Sequence, residues 1–257
     1  MPPPPLAIRE ASRKERFGAI WTTQLDDVFA DVAPYYDRAN DVAALGLVGY
    51  FRQRFMSTIA LQPRQRVLDV CAGTNAVGIA LLEREPTLEV HAIDRSAHMQ
   101  AVGGRRAEAR GFHIASNIGD VTKLPFPDNH FDVVTLQFAS RHLMVRDVFM
   151  EILRVLKPGG HFYHSDMLRP ANPVVKHLYY AYLRVTLDVT SRLFGSGKTA
   201  RQCRQYFIEA LELFYSPAEL SVVMRELGYA DVTAHTVFFG MLGFHRGIKP
   251  RQESGLG

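Results

Sequence analysis

Between Arg66 and Phe162, short apolar runs alternate with segments whose apolar residues recur at helical spacing. The apolar runs predict strands at Arg66–Val70, Leu88–Ile93, Phe112–Asn117, Val133–Gln137 and His161–Ser165. Strands separated by helical segments predict a parallel sheet with crossover helices. Residues 9–60 also carry the helical period, and Pro34 is expected to begin or break a helix there. From Asn172 to Leu213 the pattern is helical and aromatic. Val174, Leu178, Tyr182, Val185, Val189 and Leu193 form one stripe, read as core-facing, with Lys176, Arg184 and Ser191 on or near the opposite side. The remaining stretch predicts a helix over Ala218–Leu227, then strands over Ala230–His235 and Phe238–His245.

These elements are expected to form a single domain over residues 9–249. Within it, 9–60 is an N-terminal helical cover, 61–170 a cofactor-binding core, 171–215 a helical lid and 216–249 a closing helix with strands. Neither helical segment is large enough for a core of its own, so both are read as a cover over the carboxyl ends of the strands. Residues 1–8, with Pro2–Pro5, and residues 250–257 read as flexible tails.

Composition narrows the class. A chain of 257 residues with 47% apolar content holds one α/β domain and is not disordered over most of its length. The two cysteines, Cys71 and Cys203, show no ligand spacing, so neither a disulfide framework nor a metal site is expected. No segment resembles a signal core or a membrane span, which leads to the expectation of a cytoplasmic protein, soluble or peripheral at a membrane. The net charge of +4 is unevenly spread. Between Arg169 and Gln205 seven basic residues face one acid, Asp188. The segment is read either as a solvated helical face or as a surface for anionic lipid. Its stripe does not suit a base-stacking groove, so no nucleic acid is expected.

The most informative stretch is residues 67–78, VLDVCAGTNAVG. An apolar run ending at Asp69, a small-residue turn with Gly73 and a helical pattern bring backbone N–H groups against a bound ligand. A second run, LEVHAID, ends in Asp94 at the spacing of a carboxylate that grips both hydroxyls of a ribose. The plainer reading of Asp94 is a helix N-cap before Ser96 and Ala97.

With GDVTKLPFPDNHFDVV and RVLKPGG downstream, the chain resembles the class I S-adenosylmethionine-dependent methyltransferases. The segments VFADVAPYYDRAND, LQFASRH and HRGIKP are similar to those of the ubiquinone/menaquinone C-methyltransferase (UbiE-type) family. The resemblance implies a Rossmann-like sheet, mostly parallel with an antiparallel last strand, helices on both faces and a helical cover. It also implies S-adenosyl-L-methionine as cofactor. Asp94 would lie at the ribose and Asp69, Thr74 and Asn75 at the methionine end, with Gly73 and Arg95 also among the cofactor-binding residues. Asp120 and Val121 would meet the adenine, with a surface-loop acid the alternative for Asp120, and Gln137 would line the same pocket. The chain departs from the family where Asn75 replaces the last turn glycine; Asn tolerates positive φ best among the other residues. In the FG.RN segment the arginine stays as Arg141 and the asparagine becomes His142.

The acceptor implied is a small aromatic molecule, foremost a quinol or polyprenyl phenol methylated at carbon. Such chemistry needs an electron-rich ring carbon, which deprotonation of a phenol supplies. Arg141 is the candidate to stabilise the phenolate and His142 to accept its proton, an ordinary helix-starting histidine being the alternative. Tyr36, Asp37 and Tyr206 are candidate acceptor-lining residues, and His164 and Asp166, at the end of the fifth strand, are further candidates to face the pocket. O- or N-methylation of another lipophilic molecule and a non-catalytic scaffold are the competing functions. A homodimer and peripheral membrane contact complete the expectations.

Overall fold

A computed structural model describes residues 6–23, 25, 33–193 and 204–251. The proline tail, Lys198, Arg201 and Cys203 lie outside the described residues. Three helices precede the sheet: α1 (Leu6–Thr23), α2 (Tyr36–Ala43) and α3 (Val48–Thr58). Pro34 falls in the turn that leads into α2. The core follows as β1 (Arg66–Val70), α4 (Ala76–Arg84), β2 (Glu89–Asp94), α5 (Ala97–Glu108), β3 (Ala115–Ile118), β4 (Phe131–Gln137), α6 (Val145–Val155) and β5 (Leu156–Met167). The chain closes with α7 (Pro173–Leu193), α8 (Arg204–Glu212), α9 (Pro217–Glu226), β6 (Ala230–Val237) and β7 (Leu242–Ile248).

The seven strands form one sheet in the order β3-β2-β1-β4-β5-β7-β6. The first five pair in parallel, and β7, last in the chain, runs antiparallel between β5 and β6. The Rossmann-like sheet with an antiparallel last strand is therefore present. Alternation along the central strands sends side chains to two cores. Leu68, Val134 and Phe162 pack with α6 and α9 through Phe149, Ile152 and Leu220. Val67, Val133 and Tyr163 pack with α3 and α4 through Phe55, Leu81 and Leu82. Because both faces are covered, β1 and β4 read as nearly continuous apolar runs.

Two expectations are corrected. The strand expected at Phe238–His245 begins only at Leu242, because Phe238, Phe239 and Gly240 adopt φ of 51°, 56° and 87° and turn the chain. The apolar stripe of α7 is not core-facing: Val174 is 66% and Leu178 63% exposed, and Val185 and Leu193 are exposed as well. The helix instead buries Tyr179, Tyr180 and Leu183 against Leu211, Met167 and Met241. Tyr179 and Tyr180 are therefore not available to a membrane interface.

α1 reaches across the molecule. Its buried Arg13 donates to the carbonyls of Arg141 at 3.0 Å and Leu143 at 3.1 Å, and pairs with Glu10 at 3.1 Å. Tyr182 of α7 donates to the Ala43 carbonyl at the end of α2. Helices from both ends of the chain thus meet over the carboxyl ends of the strands.

Candidate active site

Where an open α/β sheet places its ligands, the strand ends and the helical cover enclose a cavity of about 1130 Å³. One wall is the turn after β1, the end of β2 and the loop after β3. The opposite wall is the turn after β4 with α2 and α7.

The turn after β1 is backbone-driven. Cys71, Gly73 and Asn75 all adopt positive φ, at 55°, 52° and 55°. Gly73 faces open space, and its N–H donates to Asp94 Oδ2 at 2.8 Å. The other Asp94 oxygen accepts from Ser96 N at 2.8 Å, while Ser96 itself caps α5. Asp94 thereby joins the turn to the start of α5 and still lines the cavity. Asn75 takes the left-handed conformation at the start of α4, but its side chain turns away from the cavity. Its Oδ1 accepts from Gln100 Nε2 at 3.0 Å, and its amide sits where a Cβ on Gly103 would intrude at 2.8 Å. Asn75 therefore directs its side chain behind the turn rather than into the cavity.

Asp69 is fully buried at the end of β1. Thr135 Oγ1 donates to its Oδ1 at 2.7 Å, whereas its Oδ2 is buried without a hydrogen-bond partner. Burial pushes this carboxyl up to about 7, against hydrogen-bonding from Thr135 and from the Gly78 backbone. Gln137 Nε2, at the end of β4, is likewise buried without a partner. Asp37 lies at this same end. It accepts from Thr74 Oγ1 at 3.0 Å and pairs with Arg106.

At the other end, a 3₁₀ turn over Ser140–His142 presents Arg141. Its Nη1 donates to Asp166 Oδ1 at 2.5 Å and to the Phe138 carbonyl at 2.8 Å. The buried Asp166 also accepts from Met167 N at 2.7 Å, Ser140 Oγ at 2.6 Å and Arg141 N at 3.2 Å. The only proton of Ser140 goes to the carboxylate, so its oxygen accepts from His164 Nε2–H at 2.8 Å. Burial opposes the charge of Arg141, and the Asp166 carboxylate outweighs it, leaving the guanidinium more firmly protonated. Tyr36 and Tyr179 face the same guanidinium, and burial holds both phenols above their ordinary range.

His142 is buried, and its Nδ1 lies 2.6 Å from the Tyr206 hydroxyl, which accepts from Trp21 Nε1 at 2.8 Å. Burial, then the charges of Arg141 and Arg13, hold its pKa well below the ordinary histidine value. Proton transfer to such a ring is uphill, which argues against His142 as the base. Tyr206 stands behind His142 rather than on the cavity wall.

The cavity wall gathers Asp69, Gly73, Thr74, Asp94, Arg95, Asp120, Val121, Gln137, Arg141, His142, Tyr36 and Asp37 from the sequence reading, and omits Asn75 and Tyr206. Arg95 donates to the Trp21 carbonyl. Asp120 is exposed at the rim, with its Oδ1 accepting from Thr122 N at 2.9 Å, while Val121 is buried beside it. The sequence reading missed Arg52 of α3 and Tyr179 of α7, neither of which sits in a recognisable motif.

An open small-residue turn, an acid at the end of β2 and two unpartnered polar atoms, Asp69 Oδ2 and Gln137 Nε2, fit S-adenosylmethionine. Among relatives, the chain is 33% identical over 230 residues to the ubiquinone/menaquinone biosynthesis C-methyltransferase UbiE of Ectopseudomonas mendocina, covering 87% of this chain and 88% of that protein. It is 33% identical over 226 residues to the demethylmenaquinone methyltransferase of Anoxybacillus flavithermus, covering 87% and 94%. Its fold is similar to an S-adenosylmethionine-dependent methyltransferase from Thermotoga maritima, with a TM-score of 0.59, 16% identity and coverage of 87% and 98%. It is also similar to Haemonchus contortus phosphoethanolamine N-methyltransferase 2, with a TM-score of 0.58, 15% identity and coverage of 79% and 53%. The ubiE/COQ5 methyltransferase family model matches residues 19–249, and with those relatives it shows that the chain belongs to this family of S-adenosylmethionine-dependent methyltransferases.

Proposed function

We propose that this enzyme methylates a ring carbon of a quinol or polyprenyl phenol. The observation that carries the reading is the Arg141 guanidinium, locked by Asp166 and facing the cavity opposite the glycine turn. The relatives named as C-methyltransferases of quinone biosynthesis support it. Bound S-adenosylmethionine would supply a methyl group already activated on its sulfonium. Asp94 would hold the ribose, and Asp120 and Val121 would border the adenine. Arg141 would lower the cost of a phenolate on the acceptor, whose proton passes to solvent at the cavity mouth, and that charge delocalises onto the adjacent ring carbon, which sheds its own proton to solvent once methylated. Tyr36, with its phenol kept protonated, would donate to a second acceptor oxygen. His142, kept neutral, would form an uncharged polar wall between Arg141 and the cover. The apolar walls exclude water and hold the acceptor carbon in line with the methyl group.

The acceptor's tail would enter from a lipid surface. Leu178 and Tyr182 belong both to the outward stripe of α7 and to the cavity wall; Leu45, just after α2, and Phe239, before β7 and 83% exposed, likewise line the cavity while facing outward. The apolar rim is therefore continuous with the site. Lys176, Arg184 and Arg192 lie on the same helix, each worth on the order of 1 kcal/mol near anionic lipid. No described helix is long and apolar enough to cross a membrane. Protein is expected to sediment with anionic vesicles, less so at high salt. If it stays in the supernatant at low salt while forming a dimer, the rim is a contact between copies instead.

The chemistry is tested by supplying S-adenosylmethionine labelled with carbon-13 at the methyl group, together with demethylated quinols. The product is expected to show a ring-bound methyl carbon. An O-methyl product, or none with any quinol, overturns the reading.

A further inference from the structure

The end of the cavity beside the glycine turn holds an acid and a guanidinium that form no ion pair with each other. Asp69 Oδ2 is buried there with no hydrogen-bond partner. Arg52, from the middle of α3, lines the same cavity, and its Nε is also buried without a partner. The two feel each other across the space, because Arg52 eases the ionisation of Asp69. The acids nearest Arg52 do not neutralise it. Asp37 is already engaged by Thr74 and by Arg106, and among the described residues Arg52 has no ion pair with Asp41 or Glu83. A half-buried guanidinium whose Nε has no partner calls for an anion, and a buried carboxylate oxygen left without a hydrogen bond calls for a cation. One ligand that satisfies both is an α-amino acid, whose ammonium and carboxylate stand on a single carbon.

We infer that Arg52 receives the carboxylate of the cofactor's methionine moiety while Asp69 takes its ammonium. The inference rests on the reading that this cavity holds S-adenosylmethionine, and it assigns the amino-acid end to a residue outside the sheet. Its basis is charge complementarity in one enclosed space: a planar fork suited to a carboxylate on one side, an acid on the other, and the open face of Gly73 nearby. Because α3 belongs to the cover, the amino-acid end of the cofactor would tie cover to sheet.

Two ligands separate this contact from the rest of the cofactor. S-adenosylhomocysteine carries the amino-acid group, whereas 5′-methylthioadenosine keeps the nucleoside and thioether but lacks it. Calorimetric titration of both is done on wild type, Arg52→Gln and Arg52→Lys, each checked for folding by circular dichroism. Arg52→Gln is expected to weaken S-adenosylhomocysteine roughly 10- to 100-fold and to leave 5′-methylthioadenosine within about twofold. Arg52→Lys should fall in between, because it keeps the charge and loses the fork. If Arg52→Gln does not fold, the Lys variant decides: an unchanged ratio between the two ligands overturns the inference. An equal change for both ligands, or none, in Arg52→Gln overturns it likewise. Wild-type protein that binds neither ligand overturns the cofactor reading itself.

Discussion

The Arg141 guanidinium and the Asp166 carboxylate lie 2.5 Å apart, with Asp166 fully buried behind the cavity wall. The acid spends its remaining capacity on Ser140, Met167 N and the backbone of Arg141. The arrangement aims one guanidinium and leaves it little freedom to move.

Asp166→Asn keeps the shape and removes the charge. Turnover is expected to fall about 10- to 100-fold, with S-adenosylhomocysteine affinity within about threefold of wild type. Asp166→Ala leaves Arg141 unpaired and should cost about 3–5 kcal/mol of stability in a urea titration. Loss of cofactor binding in a folded Asp166→Asn variant would place Arg141 at the wrong end of the cavity.

Asp69 makes cofactor binding proton-linked. With its carboxyl pushed up to about 7 from the usual 3.8, much of it is protonated at neutral pH before a ligand arrives. A cation at Oδ2 favours the ionised form, so binding at pH 6 should release a proton. Calorimetry in buffers of different ionisation enthalpy measures this release, and Asp69→Asn should abolish it. For stability, the folded chain holds this proton more tightly than the unfolded chain does. The contribution of Asp69 is therefore fully present below about pH 4 and is lost as pH rises through 7. Equal pH dependence in wild type and Asp69→Asn would contradict the burial argument.

Acid acts in the opposite direction through the histidines. His245 donates through Nε2 to the Pro217 carbonyl at 3.0 Å, and its ring lies 5.6 Å from His164. Burial holds His245 down to about 4, and His164 well below its ordinary value. The unfolded chain takes up protons near pH 6.5, whereas the folded chain resists. Stability should thus fall as pH drops from 6.5 towards 4, by up to about 1.4 kcal/mol per pH unit for each ring. Urea midpoints across this range should fall less steeply in His245→Gln.

Gly103 sets the position of the glycine turn from behind. A Cβ there would stand 2.8 Å from both the Asn75 side chain and the Thr74 backbone. Gly103→Ala is expected to cost about 1–3 kcal/mol and to weaken cofactor binding by displacing the turn. Unaltered affinity and melting temperature would show that the turn can yield without consequence.

The sheet was legible because strands buried on both faces write themselves as nearly continuous apolar runs, as at Val67–Val70, broken only by Asp69, and Val133–Leu136, broken only by Thr135. Edges were harder to read. Phe112 and Ile114 look like strand residues, but they pack against the core from the approach to β3, which starts at Ala115. α7 has two apolar stripes three to four residues apart, and the sequence does not say which one the sheet will cover. At the site, most wall residues came from motifs with fixed spacing. Asn75 marked the correct backbone conformation but not the direction of its side chain, which Gln100 and Gly103 decide from 25 and 28 residues away. Arg52 carried no signal, because its meaning depends on a cavity that only the folded chain encloses.

The bonds from Arg13 to the carbonyls of Arg141 and Leu143 span 128 and 130 residues. They close a long loop, and loop closure is a late and entropically costly step of folding. The turn that aims Arg141 is thus braced by a helix that precedes the sheet in the chain and finds its seat only after β4 exists. A nascent chain can therefore assemble the nucleotide half of the sheet well before it can hold an acceptor, so competence to transfer a methyl group arrives with long-range closure.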